Sequence, residues 1–520
     1  MWNGSGYISL VLPLLVAFPV WYWVRKRSKN SLPYPPGPKA YPLIGSLLDF
    51  PHKVPLWEGL TNLAKRHDTD VLHLKLPGTE MVVLSTSEAI SDLLDQRSAI
   101  YSDKPSTTMV ELIGFTESGL PFMPYGPRWR MHRKLLNEFV SPSTSKDHDV
   151  NQVKVVSDFI INLHRKPESF REHIHLLTSS LALSIAYGIR ADSLDNEIVR
   201  AYEEMLGAAR KALIPGSFFV DVLPILKYLP PWFPGVRFHA FADKVKKDLH
   251  AAMTRPLEHV AERLKVGGDI DPSIMSTCLE NLEDLGKKGV DMEVIRNTAG
   301  IIYGGTSGTT KTLLSSFFLA MARSTDIMRT AQCQLDSVLD GGRLPDHSDI
   351  DDLPYIVAIV KETFRWAPPL PIGTFHRLME DDVYRGMFIP GGATMVENIW
   401  AICYDEVTYP EPHTYNPARF LDENGRIDPS VKDPEARVFG SGRRICPGRH
   451  LALRMVYLTV ARILATFDIL PPVDKEGCPR IPEARFNQTL VRDPTPFECV
   501  VKPRSEKAIK LIYDTVSIHR

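Results

Sequence analysis

The sequence is short of cysteine and of any charge imbalance. Its six cysteines, at 278, 333, 403, 446, 478 and 499, are scattered over 520 residues without one C-x-x-C pair. That spacing excludes a disulfide scaffold and a thiolate zinc site, and it places the body of the chain in a reducing compartment. Lys and Arg number 61 against 62 Asp and Glu, a net charge of -1, so no basic excess exists to hold a phosphate backbone and no nucleic-acid partner is expected. There is no internal repeat and no low-complexity stretch, and 44% hydrophobic with 24% charged residues excludes a disordered or collagen-like chain. Several catalytic signatures are missing as well. No G-x-G-x-x-G follows a strand, and G-x-S-x-G, G-x-x-x-x-G-K-S/T and H-E-x-x-H do not occur, so dinucleotide binding, serine hydrolysis, NTP hydrolysis and zinc proteolysis lack their residues.

Long apolar runs are rare too, with one exception. Residues 7–24, YISLVLPLLVAFPVWYWV, carry no charge; as a helix they reach about 27 Å, close to the ~30 Å of a hydrocarbon layer. Trp21, Tyr22 and Trp23 crowd the end of the run, and Arg25, Lys26, Arg27 and Lys29 follow at once. This order places an aromatic belt and cytosolic charges after a single-pass span, leaving the N-terminus lumenal. The alternative is a cleaved secretory signal, against which stand the charges after the run and the lack of an A-x-A site. Pro13 and Pro19 are the span's weak points. Five prolines then fall within residues 33–42, a composition that favours an extended connector. The expected organisation is a membrane anchor over 1–30, a proline-rich hinge over 31–50 and a body over 51–520.

In the body, helical periodicity predicts helices near 128–140, 150–165, 172–188, 194–211, 237–265, 290–321, 327–340, 354–366 and 448–467. Strand-like alternation is confined to short pieces such as Val71 to Leu76, a Pro77-Gly78 turn, and Met81 to Leu84. The expected class is mainly α with minor β.

The sharpest chemical signal is F-G-S-G-R-R-I-C-P-G, Phe439 to Gly448, running straight into a helical stretch. A lone cysteine is ordinarily an inert core residue. Here it sits just before a helix start, where amide N–H groups and the positive dipole end stabilise a thiolate. Gly442 and Gly448 permit tight turning and close approach to a flat partner, and Arg443 and Arg444 either hold the thiolate or pair with carboxylates of a bound group.

This string resembles the haem-binding loop of the cytochrome P-450 haem-thiolate enzymes, F-x-x-G-x-R-x-C-x-G, at every fixed position. Five such positions fall together by chance in on the order of one chain in ten thousand of this length. The resemblance implies a triangular helical body with small sheets behind an N-terminal transmembrane helix, haem b as cofactor, Cys446 as axial iron ligand and Arg444 as a haem-propionate partner; a thiolate ligand favours O–O cleavage. Other motifs then fall in the family's order. Glu362 and Arg365 in K-E-T-F-R-W, with Arg419 in N-P-A-R-F, resemble its Glu-Arg-Arg structural triad. Trp129 and Arg133 resemble its W-x-x-x-R helix, whose indole and guanidinium reach the propionates; without Cys446 the same pattern reads equally as a solvated basic face. His376, in P-L-P-I-G-T-F-H-R, stands where another propionate donor is often found, with Arg377 as the competing choice.

Gly304, Gly305 and Gly308 interrupt an apolar helix, each at a cost of ~1 kcal/mol relative to alanine. They point to close approach of a ligand or to a local opening, with a packing notch as the plain alternative. By the resemblance Thr309 is the oxygen-activating threonine, but Gly308 stands where an acid is usual and Thr306 where glycine is. Hydroxyls of Thr306, Ser307 or Thr310 are expected to order water in the acid's place.

The resemblance runs from the proline stretch to about residue 503. The wording of 212–235 and of the closing FNQTLVRDPTPFECVVKPR is similar to membrane-bound fungal members serving secondary metabolism of terpenoid, polyketide or indole type. It implies a monooxygenase of the endoplasmic reticulum membrane that places one atom of dioxygen into a small apolar substrate, with electrons from an NADPH-cytochrome reductase flavoprotein. The alternative is a haem-thiolate isomerase, dehydratase or peroxygenase needing no reductase. Phe218, Phe219, Leu223, Trp232 and Phe233 form an apolar loop that suits either the bilayer surface or the core.

Overall fold

The computed structural model describes residues 32–214, 217–230, 232–268 and 270–518. The span read at 7–24 lies outside these residues. Among the described residues no helix is long and apolar enough to cross a membrane.

In chain order, the helices that position the site are α1 (Leu56–Arg66), α2 (Pro127–Val140), α3 (Asp149–Arg165), α4 (Phe170–Tyr187), α5 (Glu197–Leu213), α6 (Phe238–Lys265), α7 (Met292–Arg323), α8 (Thr325–Leu339), α9 (Pro354–Trp366), α10 (Arg449–Thr466) and α11 (Glu506–Ile518). All nine helices expected from periodicity are present; α1 and α11 are additional to them. Their ends follow ordinary capping chemistry. Asp291 accepts from the Val294 N–H at 2.8 Å and starts α7, Asn196 does the same for α5 at Ile198, and Gly188, at φ 67°, ends α4 in the left-handed region. The core is built on α7 and α4, the most extensively paired helices. Ser179, Ala182, Ser184 and Ala186 are buried on α4, and small side chains of this kind let helices lie close together.

The sheets are small and peripheral. The strands are β1 (Val71–Leu76), β2 (Thr79–Leu84), β3 (His376–Arg377), β4 (Asp382–Tyr384), β5 (Met387–Ile389), β6 (Thr394–Glu397), β7 (Phe467–Leu470) and β8 (Val500–Pro503). The expected hairpin forms, with Val71 opposite Leu84 and Gly78 turning at φ 79°. It continues into a four-stranded sheet of order β1-β2-β6-β3, in which β2 and β6 run parallel with Met81 beside Thr394. The other two sheets pair β4 with β5 and β7 with β8.

The proline-rich segment is extended but does not hang free as a hinge. The Pro33 carbonyl accepts from the Phe388 N–H at 2.7 Å and the Pro36 carbonyl from the His73 N–H at 2.9 Å. Tyr34 stacks on His73 at 5.0 Å, and a side chain at Gly37 would collide with the His73 carbonyl. Residues 33–37 therefore form a strap fastened to β1 and β5. The apolar loop beyond α5 divides: Phe218 packs on Phe241 at 5.2 Å, whereas Phe219, Leu223, Trp232 and Phe233 are exposed, Phe219 and Trp232 at 81% and 79%. For those four the core reading fails.

Candidate active site

Cys446 lies three residues before α10, in the loop that follows a short 3₁₀ turn over Gly442–Arg444. Its N–H donates to the Phe439 carbonyl at 2.8 Å, closing the loop on itself, and the Phe439 ring packs on Phe364 of α9 at 5.3 Å. The loop is pinned to the sheet side of the molecule. Ser441 Oγ donates to Glu397 of β6 at 2.7 Å, Asp95 accepts from the Gly442 N–H at 2.6 Å, and Arg437 pairs with the same Asp95 at 2.9 Å. Gly442 is required by this docking: it sits at φ 59°, and a Cβ there would strike the Leu94 carbonyl oxygen. Gly448 is different, with an ordinary φ of -84° and no atom within 4 Å of where a Cβ would stand. Burial pushes the Cys446 thiol up, against a hydrogen bond from the Gly448 amide and the charges of Arg133 and Arg449.

The expected cations gather around this loop in unequal ways. Arg133, from α2, donates to the Ile445 carbonyl at 2.6 Å, directly beside the cysteine. Arg444 donates to the carbonyls of Ser102, Leu120 and Met123 at 2.7, 3.3 and 2.8 Å and lies 4.4 Å over the Trp129 ring. Those bonds use three of its five N–H groups. Burial draws its guanidinium down to about 10. Arg443 points elsewhere, to the Tyr125 hydroxyl. His376 is buried, with Nδ1 2.9 Å from the Tyr101 carbonyl and Nε2 3.3 Å from Glu397 Oε1. Its competitor Arg377 turns outward to Asp103.

Lys104 joins these cations without having stood out in the sequence. It is buried, donates to the Thr374 carbonyl and hydroxyl at 3.1 and 3.0 Å, and forms no ion pair among the described residues. Burial, then the charge of Arg444, push its ammonium down to about 7, only partly offset by Glu397 and Asp103. Nothing in Tyr101–Pro105 sets this lysine apart from a surface lysine in the sequence; only the fold buries it.

Helix α7 runs unbroken through its glycines, so the local opening does not occur. Gly300 is a packing notch against Met253, whereas Gly305 and Gly308 have no atom within 4 Å of where a Cβ would stand. Thr309 Oγ1 donates to the Gly305 carbonyl at 2.8 Å, which leaves the oxygen as an acceptor on that open face.

Beneath the loop, Arg365 and Glu362 are fully buried and joined twice, at 2.7 and 2.8 Å. Arg419 approaches the same carboxylate at 3.2 Å, and Arg365 continues to the carbonyls of Cys403 and Pro412 at 3.0 and 2.8 Å. The three residues brace α9 against the segment that leads to the cysteine loop.

Residues 35–500 match the cytochrome P450 family. The chain belongs to that family. It is 36% identical over 505 residues to the cytochrome P450 monooxygenase ple1 of Rhodocybe pseudopiperita, covering 96% of this chain and 95% of that one. It is 37% identical to tryptamine 4-monooxygenase of Psilocybe cyanescens, covering 97% and 99%, and 37% identical to cytochrome P450 monooxygenase 98 of Postia placenta, covering 94% of each.

P450 enzymes are oxidoreductases that bind haem b through a cysteine thiolate, and the residues present fit that group. The donor set combines a cysteine at a helix start, two half-buried guanidinium groups and a buried ammonium that has no ion-pair partner among the described residues. On α7, which packs against α2 and α10, Gly305 and Gly308 leave a helix face bare. A flat ligand carrying two carboxylates meets each of these requirements.

Proposed function

We propose that this P450 is a reductase-fed monooxygenase acting on a small apolar metabolite of secondary metabolism, held at the endoplasmic reticulum membrane with its catalytic body in the cytosol. The observation that carries the reading is the cysteine loop, with Cys446 backed by Arg133 through Ile445 and the loop pinned to β6 through Ser441 and to Asp95 through the Gly442 amide. Haem iron on Cys446 would supply reductive activation of dioxygen. Arg444, Lys104, Arg133, Trp129 and His376 form the polar rim that would hold its propionates. Thr309 Oγ1 carries an exchangeable proton, held on the Gly305 carbonyl, and presents its oxygen to the open face of α7. The near full-length similarity to a tryptamine 4-monooxygenase makes an indole-type amine the first substrate class to try, beside terpenoid and polyketide compounds. Membrane attachment is supported by the apolar 7–24 run and by the exposed Phe219, Leu223, Trp232 and Phe233.

The missing acid at 308 favours a second reading, a peroxygenase, isomerase or dehydratase that needs no reductase. Product formation with reductase and NADPH, compared with peroxide alone, separates the two. The Cys446→Ala variant is expected to lose the red-shifted absorbance of a thiolate-ligated haem carbonyl; an unchanged band would remove Cys446 from the site.

A further inference from the structure

On the side of α7 that faces α4 and α5 lies a polar cluster that the haem site does not use. Tyr303 Oη is 3.1 Å from Glu203 Oε1 of α5 and 3.0 Å from Ser179 Oγ of α4. His175 Nε2, also from α4, is 3.1 Å from the same carboxylate oxygen. Thr178 Oγ1 donates to the Ser307 carbonyl at 3.3 Å. Ser307 itself is 2% exposed, and its hydroxyl has no hydrogen-bond partner among the described residues.

Positions 303, 307 and 311 follow one another at i, i+4 and i+8 along one line of α7, and 304 and 308 form the adjacent line. Tyr303 binds Glu203 from one side of Ser307, and the charge of Lys311 acts on it from the other. Leu206, three residues on from Glu203, lies 3.7 Å from where a Cβ on Gly304 would stand. Thus α5 crosses α7 over the stretch that lacks the acid, and among the described residues no atom lies within 4 Å of where a Cβ on Gly308 would stand. Burial pushes the Glu203 carboxyl up, but the bonds from His175 and Tyr303 and the charge of Lys311 outweigh it and hold the group below the usual carboxylate range. The side chains of Glu203 and His175 remain about a quarter exposed, at 25% and 22%, which links them to solvent.

We propose that Glu203 supplies from α5 the carboxylate that position 308 of α7 lacks. Acting through water in the open space beside Gly308, it feeds protons to Thr309. The proton enters from solvent at the Glu203–His175 pair and passes to that water and then to Thr309 Oγ1. Thr309 turns its hydroxyl from the Gly305 carbonyl, releases its own proton toward the reacting oxygen and is restored by the next, so one solvent proton is consumed per proton delivered. Glu203 touches no reacting atom and is a positioning residue for the relay. The proposal rests on the monooxygenase reading above.

The test compares the holoenzyme with Glu203→Gln and with Glu203→Gln/Gly308→Asp, with reductase, NADPH and an accepted substrate. Coupled turnover in Glu203→Gln is expected to fall roughly tenfold, less than the about 10²–10⁴ of a directly contacting acid. Peroxide released per NADPH and the solvent isotope effect should rise, and the double variant should recover coupling. A merely structural ion pair would lower the melting temperature or raise KM while leaving coupling and isotope effect unchanged, and that result overturns the proposal. Infrared pH titration of the resting protein gives an independent readout. The Glu203 band, identified by its loss in Glu203→Gln, should titrate about one pH unit or more higher in Gly308→Asp, because a second carboxylate nearby disfavours its charge. If the unaltered protein forms no product with reductase, the monooxygenase reading fails instead. The infrared result still decides whether Glu203 and position 308 are neighbours, and an unmoved band overturns the proposal.

Discussion

Lys104 carries the clearest pH signature of any single residue in the site. Its ammonium titrates near 7 in the fold against an ordinary 10.5. Between those values the unfolded chain holds a proton that the folded chain has released, so stability falls as pH drops through this window. The effect is on the order of a few kcal/mol. Two propionates placed beside Lys104 would raise its pKa again. Urea midpoints at pH 7.5, 8.5 and 9.5 should therefore slope with pH in haem-free protein and flatten in the haem-bound form, and Lys104→Met should remove the slope. An identical slope in both forms would separate Lys104 from the propionates. The residue is invisible in the sequence because burial, not its neighbours in the chain, makes it unusual. The same holds for Glu203, whose partners Tyr303 and His175 come from two other helices. Cys446, Arg444 and Arg133 are legible because one short string or one helical turn carries them.

Among the elements, Gly442 and Gly448 of the cysteine loop separate docking from ligand approach. Gly442→Ala forces φ 59° on a side chain and drives it into the Leu94 carbonyl; left-handed backbone alone costs roughly 1–2 kcal/mol. The variant should melt lower with or without haem. Gly448→Ala meets no atom of the chain and should leave haem-free stability within about 0.5 kcal/mol, yet lose haem if its bare face lies against the flat ligand. Haem content and melting temperature, read together, check both outcomes. Most helices of thirteen or more residues, such as α9, announce themselves through a repeated apolar face; the thirteen-residue α11 is the exception. The two- to four-residue strands β3 to β8 do not. A strand such as β6, buried at every position, shows no alternation to read.

Across the whole molecule, the strap fixes where the chain can be cut. Removing residues 1–31 leaves the Pro33 and Pro36 carbonyl bonds and the Tyr34 stack in place, so the shortened protein should keep its melting temperature and its haem spectrum. A cut after residue 40 removes all three contacts and should lower the melting temperature by several degrees. Vesicle flotation of the shorter form should show residual binding that Phe219→Asp with Trp232→Asp abolishes. Binding unchanged by that pair would take the exposed loop out of the membrane account.

The four-stranded sheet and its surroundings join parts of the chain made far apart in time. Arg385 pairs with Asp70 across 315 residues, and Met81 lies beside Thr394. At about 5–20 residues per second, the first hairpin emerges from the ribosome and waits on the order of 15–60 s for its third strand. During that interval the edge of β2 is an unpaired template for other chains. Cys446 follows later still. Haem capture is thus among the last events of biosynthesis, and a chain terminated between residues 400 and 445 would close its sheet while never holding iron.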